Sequence, residues 1–247
     1  MSWLVVILYI MLINNNYVSY LRPKKWSKKM GEAVTQSAVM KFMDYAYDKA
    51  VNGVGIPGMD TATELAEDYL QQNGTLEEQI NSLIRWQNTK SATSGFVTGL
   101  GGLITMPVAI PANISSIIFV QVRMIATIAI MCGFDVKNDK VKALVYTCLA
   151  GNASKELLKD IGIQVGKKLT ESAIKSISGS VIVKINQAVG FRLVTKAGQT
   201  GAINLMKAVP FIGGIVGGGF DAVTTNIVGN VARDTFLDMK KDHIVIE

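Results

Sequence analysis

An all-α fold, arranged as a single compact multi-helix bundle, is predicted by three features of this sequence. Beyond the first 30 residues, apolar positions recur at helical spacing through nearly the whole chain. Residues 61–64 and 75–78 both fit the capping box, in which a Thr and a Glu three positions later satisfy two otherwise unpaired backbone amides. The single candidate strand, SVIVKI at 180–185, lies within a stronger helical period.

The predicted elements follow from these patterns in chain order. The first helix ends at the breaker GVGIPGMD, and the two capping boxes begin the next two helices. A long apolar helix ends at Gly133, because glycine is favoured just after a helix C-terminus. Helices are therefore predicted over residues 32–51, 61–72, 76–92, 112–133, 138–162, 163–188 and 212–229.

Two Gly-rich apolar helices are predicted to pack against each other in the core. One lies within the uncharged stretch GFVTGLGGLITMPVAIP, over residues 95–106, and the other is the helix over 212–229. Glycines four residues apart leave a flat stripe on a helix, on which a second backbone can approach closely. The predicted helix-packing residues are Gly95, Gly99, Gly101, Gly102, Pro107, Pro111, Gly213 and Gly217.

Neither glycine-rich pattern has the form of a nucleotide-binding loop. GLGG lacks the third glycine of the dinucleotide motif and follows no predicted strand. GIQVGKKL is one residue short of a phosphate-binding loop and carries Lys168 where Ser or Thr would contact the metal. We therefore expect no nucleotide and no other cofactor.

The histidine and cysteine content excludes several classes of enzyme. The single histidine, His243, would have to serve any Ser-His-Asp or Cys-His pair, and a histidine-rich metal site is impossible. The two cysteines, Cys132 and Cys148, are expected to be buried free thiols in a reducing compartment. The sequence thus predicts no catalytic residues and no metal ligands, and it favours a non-enzymatic protein.

The positive charge of the chain is concentrated near its N-terminus. Of the 25 basic residues, five lie in residues 1–30, where there is no acid, so the remainder holds 20 basic and 19 acidic residues. A nucleic-acid-binding domain carries its basic charge on the folded body. The charge distribution therefore disfavours a nucleic-acid partner.

The first 30 residues are predicted to be an apolar and basic leader. The apolar run from Trp3 to Ile13 has 11 residues, fewer than the ~17–25 that span a bilayer. Followed by basic residues, it suits attachment to an anionic cytoplasmic membrane face. Two alternatives remain: a disordered leader, or translation that begins at Met11 or Met30. The predicted membrane-contact residues are Trp3, Arg22, Lys24, Lys25, Trp26, Lys28 and Lys29.

Two charges interrupt the apolar helices of the predicted core. Arg123 lies in SIIFVQVRMIATIAIM, and Asp221 lies in FIGGIVGGGFDAVTTNIVG. An isolated buried charge is costly, whereas a hydrogen-bonded pair is tolerated. We therefore expect Arg123 and Asp221 to form one buried ion pair, either as a structural pin or as part of a polar functional site.

Four features in this order resemble the EcsC family of bacterial proteins. They are the Gly-rich stretch with two prolines (95–111), Gln121 with Arg123, the Gly-x-Asp turn at 133–135, and the late loop at 210–218 followed by Asp221. The resemblance covers about residues 35–238 and leaves the leader outside. The predicted domains are thus the leader at 1–30, an EcsC-like helical domain at 31–241, and a tail at 242–247.

The resemblance implies a bacterial protein linked to transport or secretion, because the family is named after a protein encoded beside an ABC exporter. It supplies no catalytic residues. The function expected is that of a non-enzymatic, membrane-peripheral accessory protein in the cytoplasm at the inner membrane, with anionic lipid and an exporter component as partners. One alternative is a membrane-perturbing effector that inserts the hairpin 95–132 into lipid. A weaker alternative is a hydrolase of unknown substrate.

Overall fold

The protein is all-α over the part of the chain that its computed structural model describes, residues 36–53, 59–92, 112–160, 177–200 and 216–244. This confirms the predicted fold class. The described helices belong to one compact unit, Val34–Glu247. They are α1 (Gln36–Asn52), α2 (Ala62–Leu70), α3 (Leu76–Ala92), α4 (Ala112–Met131), α5 (Asp139–Cys148), a 3₁₀ turn (Gly151–Ala153), α6 (Ser154–Asp160), α7 (Gly179–Thr200) and α8 (Val216–Ile244).

Both predicted capping boxes form. At the start of α2, the Thr61 amide donates to Glu64 Oε2 at 2.7 Å, and the Glu64 amide donates to Thr61 Oγ1 at 3.1 Å. At the start of α3, the Thr75 amide donates to Glu78 Oε2 at 2.7 Å, and the Glu78 amide donates to Thr75 Oγ1 at 3.3 Å. These bonds satisfy backbone groups that a helix start would otherwise leave unpaired.

Helix α4 is the centre of the bundle. From position 115 to 131 every residue is buried except Ile117 and Ile130, which are partly exposed. Helices α1, α2, α3, α5 and α8 all pack against it. A helix that is apolar on all faces is stable in water only when other elements enclose it, and α4 meets that condition.

Helix α8 pairs with α3 and α4 through a close approach at Gly229. An added Cβ atom at this glycine would lie 2.9 Å from Ile84 Cγ1 and 3.1 Å from Met124 Cε. Gly190 of α7 is equally crowded, because its added Cβ would lie 2.9 Å from Met40 Sδ of α1. Gly229 and Gly190, two glycines that the sequence did not single out, therefore lie at close helix contacts in the described part of the chain.

The predicted Gly-rich packing residues lie mostly outside the described residues. Seven of them, from Gly95 to Pro111 together with Gly213, fall in the ranges 93–111 and 201–215, which the structure does not describe. Gly217 lies in the first turn of α8. The predicted packing of helix 95–106 on helix 212–229 therefore stays a prediction.

The structure corrects three predicted helices in the second half of the chain. The helix over 138–162 is interrupted after α5, because Gly151 adopts a φ of +59° and begins a 3₁₀ turn before α6. The helix over 163–188 does not continue through Ile177 and Ser178. A new helix starts there, with the Ser178 carbonyl accepting from the Val181 and Ile182 amides. Helix α8 extends beyond 229 to Ile244, into the segment predicted to be a tail.

Candidate functional site

Arg123 is the most unusual side chain in the described core. Helix α4 places its guanidinium beside the start of α2, and the residue is only 2% exposed. Nη1 donates to the backbone carbonyl of Asp60 at 3.2 Å, and the guanidinium carbon lies 5.8 Å from the centre of the Phe119 ring. Nε and Nη2 have no hydrogen-bond partner among the described residues.

The electrostatics of Arg123 are those of a charge removed from water. Burial lowers the pKa of the Arg123 guanidinium, and the nearby Asp60 carboxylate acts in the opposite direction. Because a guanidinium keeps its proton throughout the accessible pH range, the site still holds a positive charge. Unpaired, a buried charge of this kind costs several kcal/mol.

A second polar feature lies on the other side of α4. We call Gln87, Gln121 and Thr225 the polar layer, because these buried polar side chains come from α3, α4 and α8, three helices that pack against one another. Gln121 Nε2 donates to Thr225 Oγ1 at 3.2 Å, and Asn88 Nδ2 donates to Asn226 Oδ1 at 2.9 Å, which fixes the level of α3 against α8.

Gln87 is the unsatisfied member of the polar layer. Its side chain is completely buried, and neither its amide nitrogen nor its amide oxygen has a partner among the described residues. Buried polar groups are hydrogen-bonded in the great majority of native structures, so each exception calls for an explanation. The polar layer and Arg123 therefore flank α4 with two sites of unused hydrogen-bonding capacity.

A hydrogen-bonded network that extends from the buried Tyr146 to the exposed Asp44 joins α1 to α5. Tyr146 donates from its hydroxyl to Asp44 Oδ1 at 2.9 Å, and Lys142 Nζ approaches the same oxygen at 2.8 Å. Burial, followed by the Asp44 charge, raises the pKa of the Tyr146 phenol, which stays protonated. Both contacts connect a side chain of α5 with Asp44 of α1, so they help to hold the two helices together.

The structure tests part of the predicted ion pair. Arg123 is buried, as a pair in the core requires, and Gln121, two residues before it, donates to Thr225. The side chain of Asp221 lies outside the described residues, so the pair with Arg123 stays a prediction. The bond to the Asp60 carbonyl could not be found from sequence, because no pattern signals which loop carbonyl meets a side chain of another helix.

The two cysteines are buried free thiols, as predicted. Cys132 and Cys148 are both buried and free. Burial raises the pKa of each thiol to about 12. A thiol with so high a pKa holds almost no thiolate at neutral pH and is therefore unreactive.

The described ranges contain neither a cluster of metal-binding side chains nor a helix that could span a membrane. No group of three or more His, Cys, Asp or Glu side chains in them is placed to hold a metal ion. No helix in the same ranges is long and apolar enough to cross a bilayer. The predicted membrane-contact residues of the leader, from Trp3 to Lys29, lie outside the described residues and are not tested.

The described core is thus built around an enclosed apolar helix, α4, that carries Arg123 and Gln121. A comparison with protein families matches the EcsC protein family over residues 14–237. The chain belongs to the EcsC family. The match begins at residue 14, so it extends into the leader that the sequence resemblance left outside. Comparisons with curated proteins and with solved structures gave no match.

Proposed function

We propose that this EcsC-family protein is a non-enzymatic accessory protein of a bacterial cytoplasm that works on the inner face of the membrane. The observation that carries the proposal is the first 30 residues, where an apolar run precedes five basic residues with no acid. A short apolar segment with a cluster of basic residues binds anionic lipid by combining two weak contributions.

The outer face of α7 supports contact with a membrane surface. Val183 and Phe191 are 54% and 61% exposed, and they lie two turns apart on one face of the helix. Lys184 and Gln187 are exposed on the same face. Exposed apolar side chains beside a basic one are typical of a surface that lies against lipid headgroups.

The enclosure of α4 favours this function over that of a membrane-inserting effector. Insertion of the hairpin 95–132 would take α4 out of its contacts with five other helices. It would also bring Arg123 into lipid, where an arginine at the centre of a helix costs roughly 2.5–3.5 kcal/mol on insertion scales. An accessory protein that stays folded on the membrane surface avoids both costs.

Sedimentation with vesicles tests the leader. In full-length protein, the substitutions Lys24→Glu, Lys25→Glu, Lys28→Glu and Lys29→Glu should strongly reduce binding to anionic vesicles, and high salt should do the same to the wild type. The matched control reverses four exposed lysines of the body, at positions 137, 155, 159 and 241. If the control loses binding and the leader variant keeps it, the body and not the leader meets the membrane.

A component of an ABC exporter is the protein partner that we propose, on the basis of the family resemblance alone. Site-specific crosslinking from position 187 on the exposed face of α7, in the native bacterium, tests it. Crosslinks to exporter subunits should depend on the basic leader. Equal crosslinking to unrelated membrane proteins of similar abundance would reject the exporter as the specific partner.

A further inference from the structure

The free edge of the Arg123 guanidinium is shaped to receive an anion. Nε and Nη2, the two nitrogens without a partner among the described residues, share one edge of the planar group. Their N–H bonds run in parallel, and this fork binds the two oxygens of one carboxylate. Nη1 is on the other side and already donates to the Asp60 carbonyl. The fork is therefore oriented and unoccupied by any described side chain.

The surroundings hold the guanidinium in place. The Phe119 ring lies 5.8 Å from its central carbon, and the Asp60 carbonyl accepts from Nη1 at 3.2 Å. A fork that is fixed before binding loses little conformational entropy when a ligand arrives.

The charge balance selects the class of anion. Among the described residues, Asp60 is the one charged group that acts on the Arg123 guanidinium, and no described carboxylate lies within ion-pair distance of it. One guanidinium can neutralise one negative charge. A phosphate dianion would leave a second charge among apolar side chains beside Asp60, at a high desolvation cost. A planar monoanion matches the fork in both geometry and charge.

We propose that Arg123 is the anchor of a binding site for a monocarboxylate, held by two parallel hydrogen bonds from Nε and Nη2. It gives the fork a free carboxylate as its partner in place of the predicted Asp221 side chain, and it does not depend on the proposed membrane function. The bound carboxylate supplies the countercharge that the described core lacks, so binding stabilises the folded bundle.

Thermal unfolding of the full-length protein tests the site. Sodium acetate should raise the Tm of the wild type more than sodium chloride at equal ionic strength, because a ligand of the native state stabilises it in proportion to its occupancy. Arg123→Met should abolish this difference. Arg233→Met is the matched control, because Arg233 is already bonded to Asn81 and Asp234. It should keep the difference. If Arg123→Met responds to acetate as the wild type does, the proposal is wrong.

A second measurement does not require a folded variant. The chain has five arginines, so the side-chain Nε–H signals of ¹⁵N-arginine-labelled protein are few. Acetate should shift the Arg123 signal in a saturable way and leave the Arg233 signal unchanged. An Arg123 signal that acetate does not move would overturn the proposal. A response to inorganic phosphate without one to acetate would equally reject the monocarboxylate.

Discussion

Gln87 is a completely buried side chain whose hydrogen-bonding groups are unsatisfied among the described residues. The nitrogen and the oxygen of its side-chain amide are both buried without a described partner, whereas the other members of the polar layer, Gln121 and Thr225, bond each other. An unsatisfied buried polar group costs about 1–3 kcal/mol relative to its hydrated state. Gln87 is therefore a local weakness of the α3–α4–α8 contact, set against the apolar packing on either side.

We predict that Gln87→Met raises the free energy of unfolding by about 1–2 kcal/mol. Methionine has a similar shape and no polar group to leave unpaired, so the penalty disappears without a large cavity. Urea unfolding followed by circular dichroism measures the change. The prediction fails if the variant is less stable, which would mean that an internal water satisfies the amide.

Gln79→Met is the matched control at the start of the same helix. The side-chain nitrogen Nε2 of Gln79 donates to the backbone carbonyls of Gln72 at 2.6 Å and of Leu70 at 3.3 Å. Leu70 is the last residue of α2, and Gln72 follows it by two positions. Loss of these bonds should lower the free energy of unfolding by about 1–2 kcal/mol. If the free energy of unfolding rises in Gln87→Met and falls in Gln79→Met, the difference comes from whether the buried amide is hydrogen-bonded.

At single positions, sequence reasoning identifies unusual residues but not their partners. Arg123 stands out because it interrupts an apolar run, and it is buried as predicted. Gln87 does not stand out, because the segment around it has several polar residues and reads as an exposed helix face. Which of these residues faces the core depends on the direction from which α4 and α8 approach, and that is a property of the tertiary fold.

At the scale of elements, glycine contacts control how closely the helices approach. We predict that Gly229→Ala destabilises the protein, although alanine favours a helix by about 1 kcal/mol. The new methyl would meet Ile84, whose Cγ2 would be 3.0 Å away and is held rigidly by its branched Cβ. Overpacking of this kind costs typically 1–3 kcal/mol. Thermal unfolding should show the loss.

Gly179→Ala is the control for this contact, because a Cβ there would meet nothing within 4 Å. Gly179 is also the first residue of α7. The Tm of the Gly179→Ala variant should therefore stay close to that of the wild type or rise slightly. Equal stability of the two variants would show that α3 and α8 are loosely packed at Gly229.

The capping boxes make the stability of α2 and α3 depend on pH in the acid range. The pKa values of Glu64 and Glu78 lie below their ordinary value of 4.5, because the backbone amides of Thr61 and Thr75 donate to the ionised carboxylates. A folded pKa below the unfolded one means that the ionised form stabilises the fold. This contribution is complete above pH 4.5 and is lost as the pH falls through the lower, folded pKa.

We predict that the double substitution Glu64→Gln and Glu78→Gln flattens the acid limb of the stability curve. Glutamine can still complete a capping box, but it does not titrate. Urea midpoints measured from neutral to acid pH give the slope for each protein. Glu77→Gln, which changes an exposed carboxylate outside the boxes, should leave the slope unchanged. A double variant with the wild-type slope would refute the assignment.

The elements were predictable where their cause is local. A capping box depends on residues three positions apart in sequence, and both boxes form as predicted. The breaks at Gly151 and Ser178 were missed, because apolar spacing continues across them and only the backbone conformation reveals them. The crowded glycines Gly190 and Gly229 were missed because neither is paired with a second glycine four residues away.

At the scale of the whole molecule, the decisive property is whether α4 remains enclosed. Cys132 follows α4 directly and is buried, and burial raises the pKa of its thiol to about 12. Its reactivity therefore reports the opening of the bundle around α4. Cys148→Ala leaves Cys132 as the single thiol, since the chain has two cysteines.

We predict that a membrane-permeant maleimide labels Cys132 of this variant slowly, and equally slowly with and without anionic vesicles. An accessory protein that binds lipid through its leader and the α7 face keeps α4 inside the bundle, so the thiol stays protonated and covered. Labelling in urea gives the rate for the open chain. A large acceleration by vesicles, without urea, would show that α4 leaves its enclosure at the membrane. The effector that inserts the hairpin 95–132 would then explain the protein better than the accessory function, because enclosure of α4 is the structural feature that separates the two.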